Sequence, residues 1–391
     1  MSRFLDLFAV LLILAVVGEK TAAQSAPQIR DSAGVRIVTQ RPGPVVPLVT
    51  THARFTVNGT EGGREPFHRI SGVVLLSNGF VVGNAGTHEL RFYDAAGALR
   101  TTAGRQGSGP GEFQLMSWIQ SYRGDSLVTY DARQRRLAVW SASGKHARDI
   151  PVVLQRPAAT GPGVFVIAPS PIGLLSGDQL IYVGSVTMVP APTIQRVPGA
   201  LMRLNPTTQR HDSIARVEVF DMQIAGGGGG PPMRDVAFPR KFTAAFGASD
   251  YFISEGVEYR IDRYSSDGRL ISSIRVQRAA APVTRRDRDE YLSEIDAEER
   301  TNVVFGQRLP AYDGLWYDRQ GRLWAEHFRA PTVTARQWDV FDAQGRLIAI
   351  LSAPASLSLV AADATQVYAI HTDDLEVPTL QAFDLPAILK R

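Results

Sequence analysis

The stretch from Ile70 to Phe113, ISGVVLLSNGFVVGNAGTHELRFYDAAGALRTTAGRQGSGPGEF, decides the fold. It holds four short runs rich in Val, Leu, Phe and Tyr, and turns such as SNG (77–79) and DAAG (94–97) separate them. Asn, Asp and Gly tolerate the positive φ angles of tight hairpins, and the runs are of strand length. The stretch therefore predicts one four-stranded antiparallel unit, followed by a glycine-rich connector.

The same pattern returns along the rest of the chain. Its later copies are SLVTYD with RLAVW, QLIYVGSV with ALMRL, EYRIDRY with RLISSIRV, LWYDRQGRLWAEHF with QWDVFDAQGRLIAIL, and SLSLVAADATQVYAI with TLQAFDL. Repeats of ~40–50 residues with four strands each are typical of a β-propeller. The sequence predicts an all-β protein in which residues 24–391 form a single domain, a six-bladed β-propeller of four-stranded antiparallel blades.

The last copy ends before a fourth strand. The segment ARFTVN (53–58) leads into a glycine-rich connector like the one that ends the first copy. We therefore expect this N-terminal segment to complete the last blade and close the ring, because an unpaired blade edge invites aggregation. The segment VRIVT (35–39) is predicted to be a further strand added to that last blade.

Two insertions interrupt the repeats. Residues 284–300 (TRRDRDEYLSEIDAEER) predict one inserted helix, in which Thr284 and Asp287 form a capping box. Gly226–Gly230, which are followed by two prolines, are predicted to be a linker.

The first 23 residues have the features of a secretory signal peptide. A weakly basic start precedes an apolar run (7–17), and small residues follow at 21–23. The apolar run is shorter than the ~18 residues that a spanning helix needs, so no stable membrane span is expected. The protein is therefore predicted to be exported, to the periplasm or the extracellular space.

Composition narrows the classes of function. The chain is 44% hydrophobic and 20% charged with a formal charge of +4, as in an ordinary globular protein, and its arginines are scattered. A nucleic-acid binder would have a concentrated basic stripe, so no nucleic-acid partner is expected. The protein is also expected to be a monomer. The chain contains no cysteine, no Gly-x-Ser-x-Gly and no His-Glu-x-x-His, and no catalytic residue is assigned.

The long irregular segments all fall at one end of the predicted blades, where a rigid scaffold would position them for function. The candidate binding residues lie at the starts of the first strands and in adjoining loops: Arg69, Arg105, Trp118, Arg240, Lys241, Tyr312 and Arg329. Guanidinium groups bind carboxylates bidentately, so these cations suggest a small anionic ligand or an acidic peptide segment. The alternative is that each cation pairs with a neighbouring acid and that the tryptophans pack the blades.

Four segments together resemble a known family: DSAGVRIV, ELRFYDAAGAL, GRQGSGPGEF and YRIDRYSSDGRL. They resemble the exported six-bladed β-propeller proteins of bacteria that are related to the NHL-repeat group. The resemblance covers roughly residues 30–385. It implies protein or ligand binding in most cases, while some similar six-bladed folds are metal-dependent lactonases, lyases or arylesterases. No catalytic residue of those enzymes maps onto this chain, and GRQGSGPGEF is expected to be a structural connector.

Two hypotheses follow. In the first, the protein is a non-catalytic exported propeller without a cofactor that binds a peptide, a protein or a small ligand. In the second, it is a metal-dependent hydrolase or lyase of the lactonase or arylesterase type, with Ca²⁺ in the channel. The candidate ligands for that metal are His68, Glu112, Asp313, His371 and Asp373. Convergence of three of them near the axis would favour the second hypothesis.

Overall fold

The computed structural model describes residues 26–155, 165–184, 186–188, 191–224, 233–247 and 249–390. In these ranges the chain is built from β-strands, with two short α-helices, so the predicted all-β class is confirmed. The predicted signal peptide (1–23) and the predicted linker Gly226–Gly230 lie outside the described residues. No helix in the described part of the chain has the length and apolar character needed to cross a membrane.

Four N-terminal strands precede the first complete sheet. They are β1 (Gln28–Ser32), β2 (Val35–Gln40), β3 (Val45–Pro47) and β4 (Phe55–Val57). Strands β1 and β2 form a hairpin, and β2, β3 and β4 each join the outer edge of a different later sheet.

Sheets 1 and 2 are four-stranded antiparallel meanders. Sheet 1 consists of β5 (Ile70–Leu76), β6 (Gly79–Asn84), β7 (Glu89–Asp94) and β8 (Leu99–Ala103). Sheet 2 consists of β9 (Met116–Ser121), β10 (Ser126–Asp131), β11 (Arg136–Ser141) and β12 (His146–Pro151).

Sheet 3 has the same inner part but much longer outer strands. It contains β14 (Ser170–Leu175), β15 (Gln179–Val183), β17 (Ala191–Asn205), β18 (Arg210–Ile224), β19 (Met233–Ala237) and β24 (Val303–Phe305). Two further strands, β13 (Phe165–Ile167) and β16 (Val186–Met188), form a separate two-stranded sheet. Because β17 pairs with β15 only over its last few residues, the β17–β18 hairpin projects beyond the sheet.

Sheets 4, 5 and 6 follow the same order of strands. Sheet 4 contains β20 (Thr243–Phe246), β21 (Asp250–Ser254), β22 (Arg260–Ser265) and β23 (Leu270–Val276). Sheet 5 contains β25 (Tyr312–Tyr317), β26 (Leu323–His327), β27 (Ala335–Phe341) and β28 (Leu347–Pro354). Sheet 6 contains β29 (Leu357–Ala362), β30 (Gln366–Thr372) and β31 (Pro378–Asp384).

The N-terminal strands complete or extend these last three sheets. Strand β4 pairs antiparallel with β31, with Val57 opposite Leu380, so the pairing expected for residues 53–58 is present. Strand β3 pairs parallel with β28. Strand β2 was expected on the last sheet, but it pairs parallel with β23 of sheet 4, and that expectation is wrong. The side chain of Gln40 also ties β2 to sheet 5, because it donates to Gly345 O at 2.9 Å and accepts from Leu347 N at 2.8 Å.

The segment predicted to be one helix contains two. Helix α1 (Arg285–Ser293) begins with the expected capping box of Thr284 and Asp287. It ends before Asp296, which has extended backbone angles, and α2 (Ala297–Arg300) follows. Helix α1 packs on a small apolar core that includes Phe238 and Phe305.

Apolar cores lie between consecutive sheets. Separate clusters join sheet 1 to 2, 2 to 3, 3 to 4, 4 to 5 and 5 to 6, and another joins sheet 6 back to sheet 1. In that last core Phe55 of β4 stacks on Phe80 of sheet 1, with ring centroids 5.5 Å apart. Phe80 also contacts Tyr368 of sheet 6 at 5.6 Å. The N-terminal strand therefore helps to join the last sheet to the first.

The strands of each sheet have a loop-rich end and a short-turn end. Each first strand begins at the end that carries the connectors between sheets and the loops between second and third strands; we call this the loop-rich face. The opposite ends carry short hairpins such as 77–78 and 122–125, and we call this the short-turn face. The projecting β17–β18 hairpin and helix α1 belong to the loop-rich face.

A buried polar cluster joins sheets 4 and 5. The carboxylate of Asp339 is fully buried, accepts a short hydrogen bond from the Tyr259 hydroxyl and pairs with Arg278 at 3.0 Å. His327 Nε2 lies 2.8 Å from Arg278 Nη1 and 2.9 Å from Asp339 Oδ1, and because a guanidinium only donates, a neutral imidazole accepts the hydrogen bond from Arg278. Burial, and then the charge of Arg278, lower the pKa of His327 from 6.5 to about 3. Burial raises the pKa of Asp339.

Strand β4 generates a stability prediction. Val57 is buried between the last and first sheets, whereas Thr56 on the same strand is exposed. We expect Val57→Asp to lower the free energy of unfolding by about 3 kcal/mol, because it buries a charge without a partner. Thr56→Asp is the matched control and should change it by less than about 0.5 kcal/mol. Urea unfolding measures both, and equal midpoints for the two variants would contradict this role of β4.

His327 generates a pH prediction. The unfolded chain protonates this imidazole near pH 6.5 and the folded chain only near pH 3, so its contribution to stability is present above about pH 6.5 and is lost as the pH falls. We expect the free energy of unfolding of His327→Gln to fall less steeply than that of the wild type between about pH 6.5 and 4. Urea unfolding at several pH values measures this. The exposed His52→Gln is the control, and identical slopes for all three proteins would refute the assignment.

Candidate functional site

The loop-rich face brings together charged groups from sheets 4 and 5. Asp313 follows the first residue of β25, and burial by surrounding protein raises its pKa even though its side chain remains accessible to solvent. The charges of Lys241, Arg336 and Arg329 act in the opposite direction and lower that pKa. Two of the predicted binding residues, Lys241 and Arg329, therefore lie around one carboxylate. We call these four residues, Lys241, Asp313, Arg329 and Arg336, the mouth cluster.

A β-bulge places Asp313 where it is. The pairing of β25 with β26 shifts between Tyr312 and Gly314, so Asp313 has no direct partner on the neighbouring strand. A bulge commonly redirects a side chain at the end of a strand. Similar shifts occur in the first strands of sheets 1 and 3, after Ile70 and Pro171, where the bulged residues are uncharged. The bulge thus gives sheet 5 a carboxylate at the position where those sheets have Ser71 and Ile172.

The cations of the mouth cluster differ in how far they are already paired. Arg336 bonds to Glu326 and donates to Ala355 O at 2.9 Å. Arg329 donates one hydrogen bond, to Val333 O at 2.9 Å, and its backbone N–H bonds to Asp313. Lys241 is exposed, and its ammonium group forms no hydrogen bond or close ion pair with a described residue. Lys241 is thus the most available cation of the cluster.

Glu326 adds a second carboxylate with a raised pKa. Burial is the largest cause, Arg336 lowers the pKa, and the negative charge of Asp313 raises it. Asp313 and Glu326 thus both have raised pKa values, and the charge of Arg336 acts on the pKa of each of them. Perturbed carboxylates that lie together with cations mark a candidate functional site.

Arg240 has a structural partner. Its guanidinium binds the buried Asp221 bidentately, at 2.7 and 3.0 Å. Arg196 approaches the same carboxylate at 3.2 Å and also donates to the backbone. Arg240 therefore fastens the connector before β20 to strand β18, as the alternative interpretation of the cations expected.

Arg105 belongs to the connector GRQGSGPGEF. It pairs with Glu112 at 2.6 Å while most of its side chain stays in solvent. Glu112 also accepts the Gly109 N–H at 2.8 Å, and Phe113 at the end of the connector is buried. Gln134 and Arg136 of sheet 2 donate to backbone carbonyls of the same segment. These contacts fit the structural role expected for the connector.

Trp118 and Tyr312 take part in packing between sheets. Trp118 stacks on Tyr130 at 5.5 Å and donates to Pro171 O of sheet 3 at 3.3 Å. Tyr312 is buried, its ring contacts Tyr259 at 4.4 Å, and burial raises its pKa well above 10. Neither ring is offered to solvent at the loop-rich face.

Arg69 differs from these residues because its side chain is exposed and forms no hydrogen bond or ion pair with a described residue. Its backbone φ angle of 54° is in the left-handed region, which residues other than glycine rarely adopt. Two backbone hydrogen bonds hold this conformation, from Ala85 N to Arg69 O and from Gly86 N to His68 O.

The candidate metal ligands do not converge. In the ranges that the structure describes, no three His, Asp or Glu side chains lie together in an arrangement that could hold a metal ion. Glu112 is bound to Arg105, and Asp373 accepts backbone N–H groups of its own turn at 3.0 and 2.8 Å. The metal-dependent alternative stays a hypothesis.

Sequence reasoning missed Arg336 and Glu326; it placed Asp313 at the start of a first strand and named it as a candidate metal ligand, but not as a binding residue. Glu326 and Arg336 stand near the loop-rich ends of β26 and β27, in the segments LWAEH and ARQWDVF. The sequence could have identified this pair, because two neighbouring predicted strands each carry a charged residue at the end that faces the loop-rich side. The bulge that leaves Asp313 without a partner residue on the neighbouring strand β26 has no such signature in the sequence.

The structure also contains a cavity of about 830 Å³ that the sequence did not predict. It lies between the first strands of sheets 1 to 5 and opens among turns of the short-turn face, including 122–125 and 318–321. The cavity is therefore at the opposite end of the first strands from the mouth cluster.

No protein-family model matches the chain, and no curated protein matches it. Solved structures do. A Bacteroides fragilis protein described as exported is 11% identical, with a TM-score of 0.46, over 89% of this chain and 99% of that one. A DUF4221-family member from Bacteroides vulgatus is 9% identical, with a TM-score of 0.47, over 93% and 99%. A gluconolactonase from Xanthomonas campestris is 14% identical, with a TM-score of 0.41, over 88% and 99%.

Proposed function

We propose that the six sheets are the blades of one six-bladed β-propeller, closed by strand β4. Two observations support this architecture. Each sheet shares an apolar core with the next, and sheet 6 shares one with sheet 1. The fourth strand of sheet 6 comes from the N-terminal part of the chain, which is how closure of a ring of sheets removes the unpaired edge.

We also propose that the protein is exported, to the periplasm or the extracellular space. The charge and apolar pattern of residues 1–23 supports a signal peptide, and the absence of cysteine leaves the fold independent of disulfide chemistry.

The function we infer is the binding of a small anionic ligand at the mouth cluster. The observation that carries it is the exposed Lys241, whose ammonium group has no hydrogen-bonding partner among the described residues and which acts on the same carboxylate, Asp313, as Arg329 does. Lys241 provides an ammonium group on the connector before β20, and Arg329 provides guanidinium N–H groups that its single bond to Val333 O leaves free. A carboxylate of the ligand would accept hydrogen bonds from both groups, because guanidinium and ammonium groups form strong charge-assisted hydrogen bonds with carboxylates.

Asp313 gives this site a dependence on pH. When ionised, it repels an anionic ligand; when protonated, it donates a hydrogen bond to the same ligand. Its raised pKa means that it takes up a proton at a higher pH than an ordinary aspartate. Affinity for an anion should therefore increase as the pH falls through the range in which Asp313 is protonated.

The first test uses simple carboxylates as probes. Succinate and citrate are titrated into the full chain at low ionic strength, with binding followed by calorimetry and by thermal stabilisation. We expect Lys241→Ala and Arg329→Gln each to weaken binding by about tenfold or more, since a hydrogen bond to a charged group contributes about 1.5–3 kcal/mol. Arg210→Ala is the matched control, because Arg210 is an exposed arginine on sheet 3, away from the cluster. Equal affinities in all four proteins would refute the site.

The second test is Asp313→Asn. The amide has the size of the carboxyl group and can donate a hydrogen bond but does not ionise. We expect this variant to bind citrate at neutral pH more tightly than the wild type and to lose the increase in affinity at acidic pH. Calorimetry across the pH range measures both effects, with citrate's own protonation subtracted by using Arg210→Ala as reference. A variant with the wild-type pH profile would remove Asp313 from the site.

A further inference from the structure

The cavity at the short-turn face has the size and the lining of a small-molecule site. Its volume of about 830 Å³ lies within the range of roughly 300–1,000 Å³ that is typical of ligand pockets. Apolar and aromatic side chains form much of its wall, among them Trp118, Phe246, Leu315, Trp316 and Tyr317. The ligand that this wall fits has an apolar body.

The aromatic part of this wall is held in place from behind. Trp316 stacks on Trp324 at 4.5 Å, and Tyr317 stacks on Phe252 of sheet 4 at 5.5 Å. These rings cannot collapse into the cavity without losing their stacking partners. The cavity is therefore preformed, which reduces the cost of binding an apolar group.

The acidic groups at its rim already have partners. Asp125 accepts hydrogen bonds from the backbone and hydroxyl of Ser77 at 2.7 and 2.6 Å. Asp318 is buried and accepts hydrogen bonds from Arg322 and from Trp324 Nε1. Neither carboxylate is free to attract a cationic ligand.

The basic groups at the rim are more available. Arg319 is exposed and forms no hydrogen bond or ion pair with a described residue. Arg123 approaches Asp178 at 3.4 Å, but Arg148 also binds that carboxylate, and Arg123 keeps 57% of its side chain in solvent. The rim therefore offers positive charge.

The two arginines stand on opposite sides of this rim. Arg123 is in the turn after the first strand of sheet 2, and Arg319 is in the turn after the first strand of sheet 5. The apolar cores place sheets 3 and 4 between them on one side and sheets 1 and 6 on the other.

We propose that this cavity is a second binding site, distinct from the mouth cluster, and that it takes an aromatic carboxylate. The ring of the ligand enters the cavity between the first strands, and its carboxylate stays at the rim, where Arg319 binds it and Arg123 contributes positive charge. This site does not depend on the function proposed for the mouth cluster.

The test uses anilinonaphthalene sulfonate, an aromatic anion whose fluorescence increases when it leaves water. We expect one saturable site on the full wild-type chain. Arg319→Gln should weaken dye binding by about tenfold, since it removes a hydrogen bond to a charged group. Arg319→Lys should retain more of the affinity, and Arg123→Gln should weaken it less. Arg210→Ala is the control, because this exposed arginine of sheet 3 belongs to neither site, and it should bind the dye like the wild type.

A matched pair of competitors tests recognition of charge. Naphthoate should displace the dye at a much lower concentration than naphthamide, which has the same ring system and no charge. Equal displacement by both compounds, dye binding without saturation, or unchanged affinity in both Arg319→Gln and Arg123→Gln would each overturn the proposal. Near-ultraviolet circular dichroism of every variant shows whether the aromatic core is intact, so a loss of dye binding with an unchanged spectrum supports the site.

Discussion

The pairing of β4 with β31 is the constraint on which the rest of the structure depends. Sheet 6 has three strands of its own, and each of its neighbours presents an apolar face to it. Strand β4 supplies the fourth strand and places Phe55 against Phe80 of sheet 1. The same segment continues into the connector before β5, where Arg91 donates to Gly59 O. The segment that carries β4 therefore also fixes where the first sheet begins.

The sequence was a good guide to the elements that local chemistry specifies. Turns with Asn, Asp and Gly predicted the hairpins, and the missing strand of the last copy predicted the role of residues 53–58. Strands β2 and β3 were harder, because each joins an outer edge in parallel and no turn connects it to its partner. The place of β2 depends on Gln40 and the turn at Gly345, which are 305 residues apart in the chain. The predicted cap of helix α1 is present, but no glycine or proline near Ser293 indicated in the sequence that the helix ends there.

For the site, the sequence could identify the cations but not their partners. Arg240 and Lys241 are adjacent in the chain, yet Arg240 binds Asp221 bidentately, while the Lys241 ammonium group has no such partner in the part of the chain that the structure describes. This difference depends on the projecting β17–β18 hairpin, which carries Asp221 to the connector before β20. The bulge at Asp313 depends on the register in which β25 pairs with β26. Both features follow from tertiary contacts, and so a count of arginines at one face could not find them.

Strand β25 connects the two proposed sites and also keeps them apart. Asp313 stands near its beginning and Arg319 follows its end, and the strand has six residues. At a rise of about 3.3 Å per residue, the two side chains are anchored roughly 20 Å apart along the strand. Charges in water are largely screened beyond about 8 Å at physiological ionic strength. An anion at one end should therefore have little electrostatic effect on binding at the other. Any coupling between the sites has to pass through the strand itself and through the rings that stack on its Trp316 and Tyr317, which are Trp324 and Phe252.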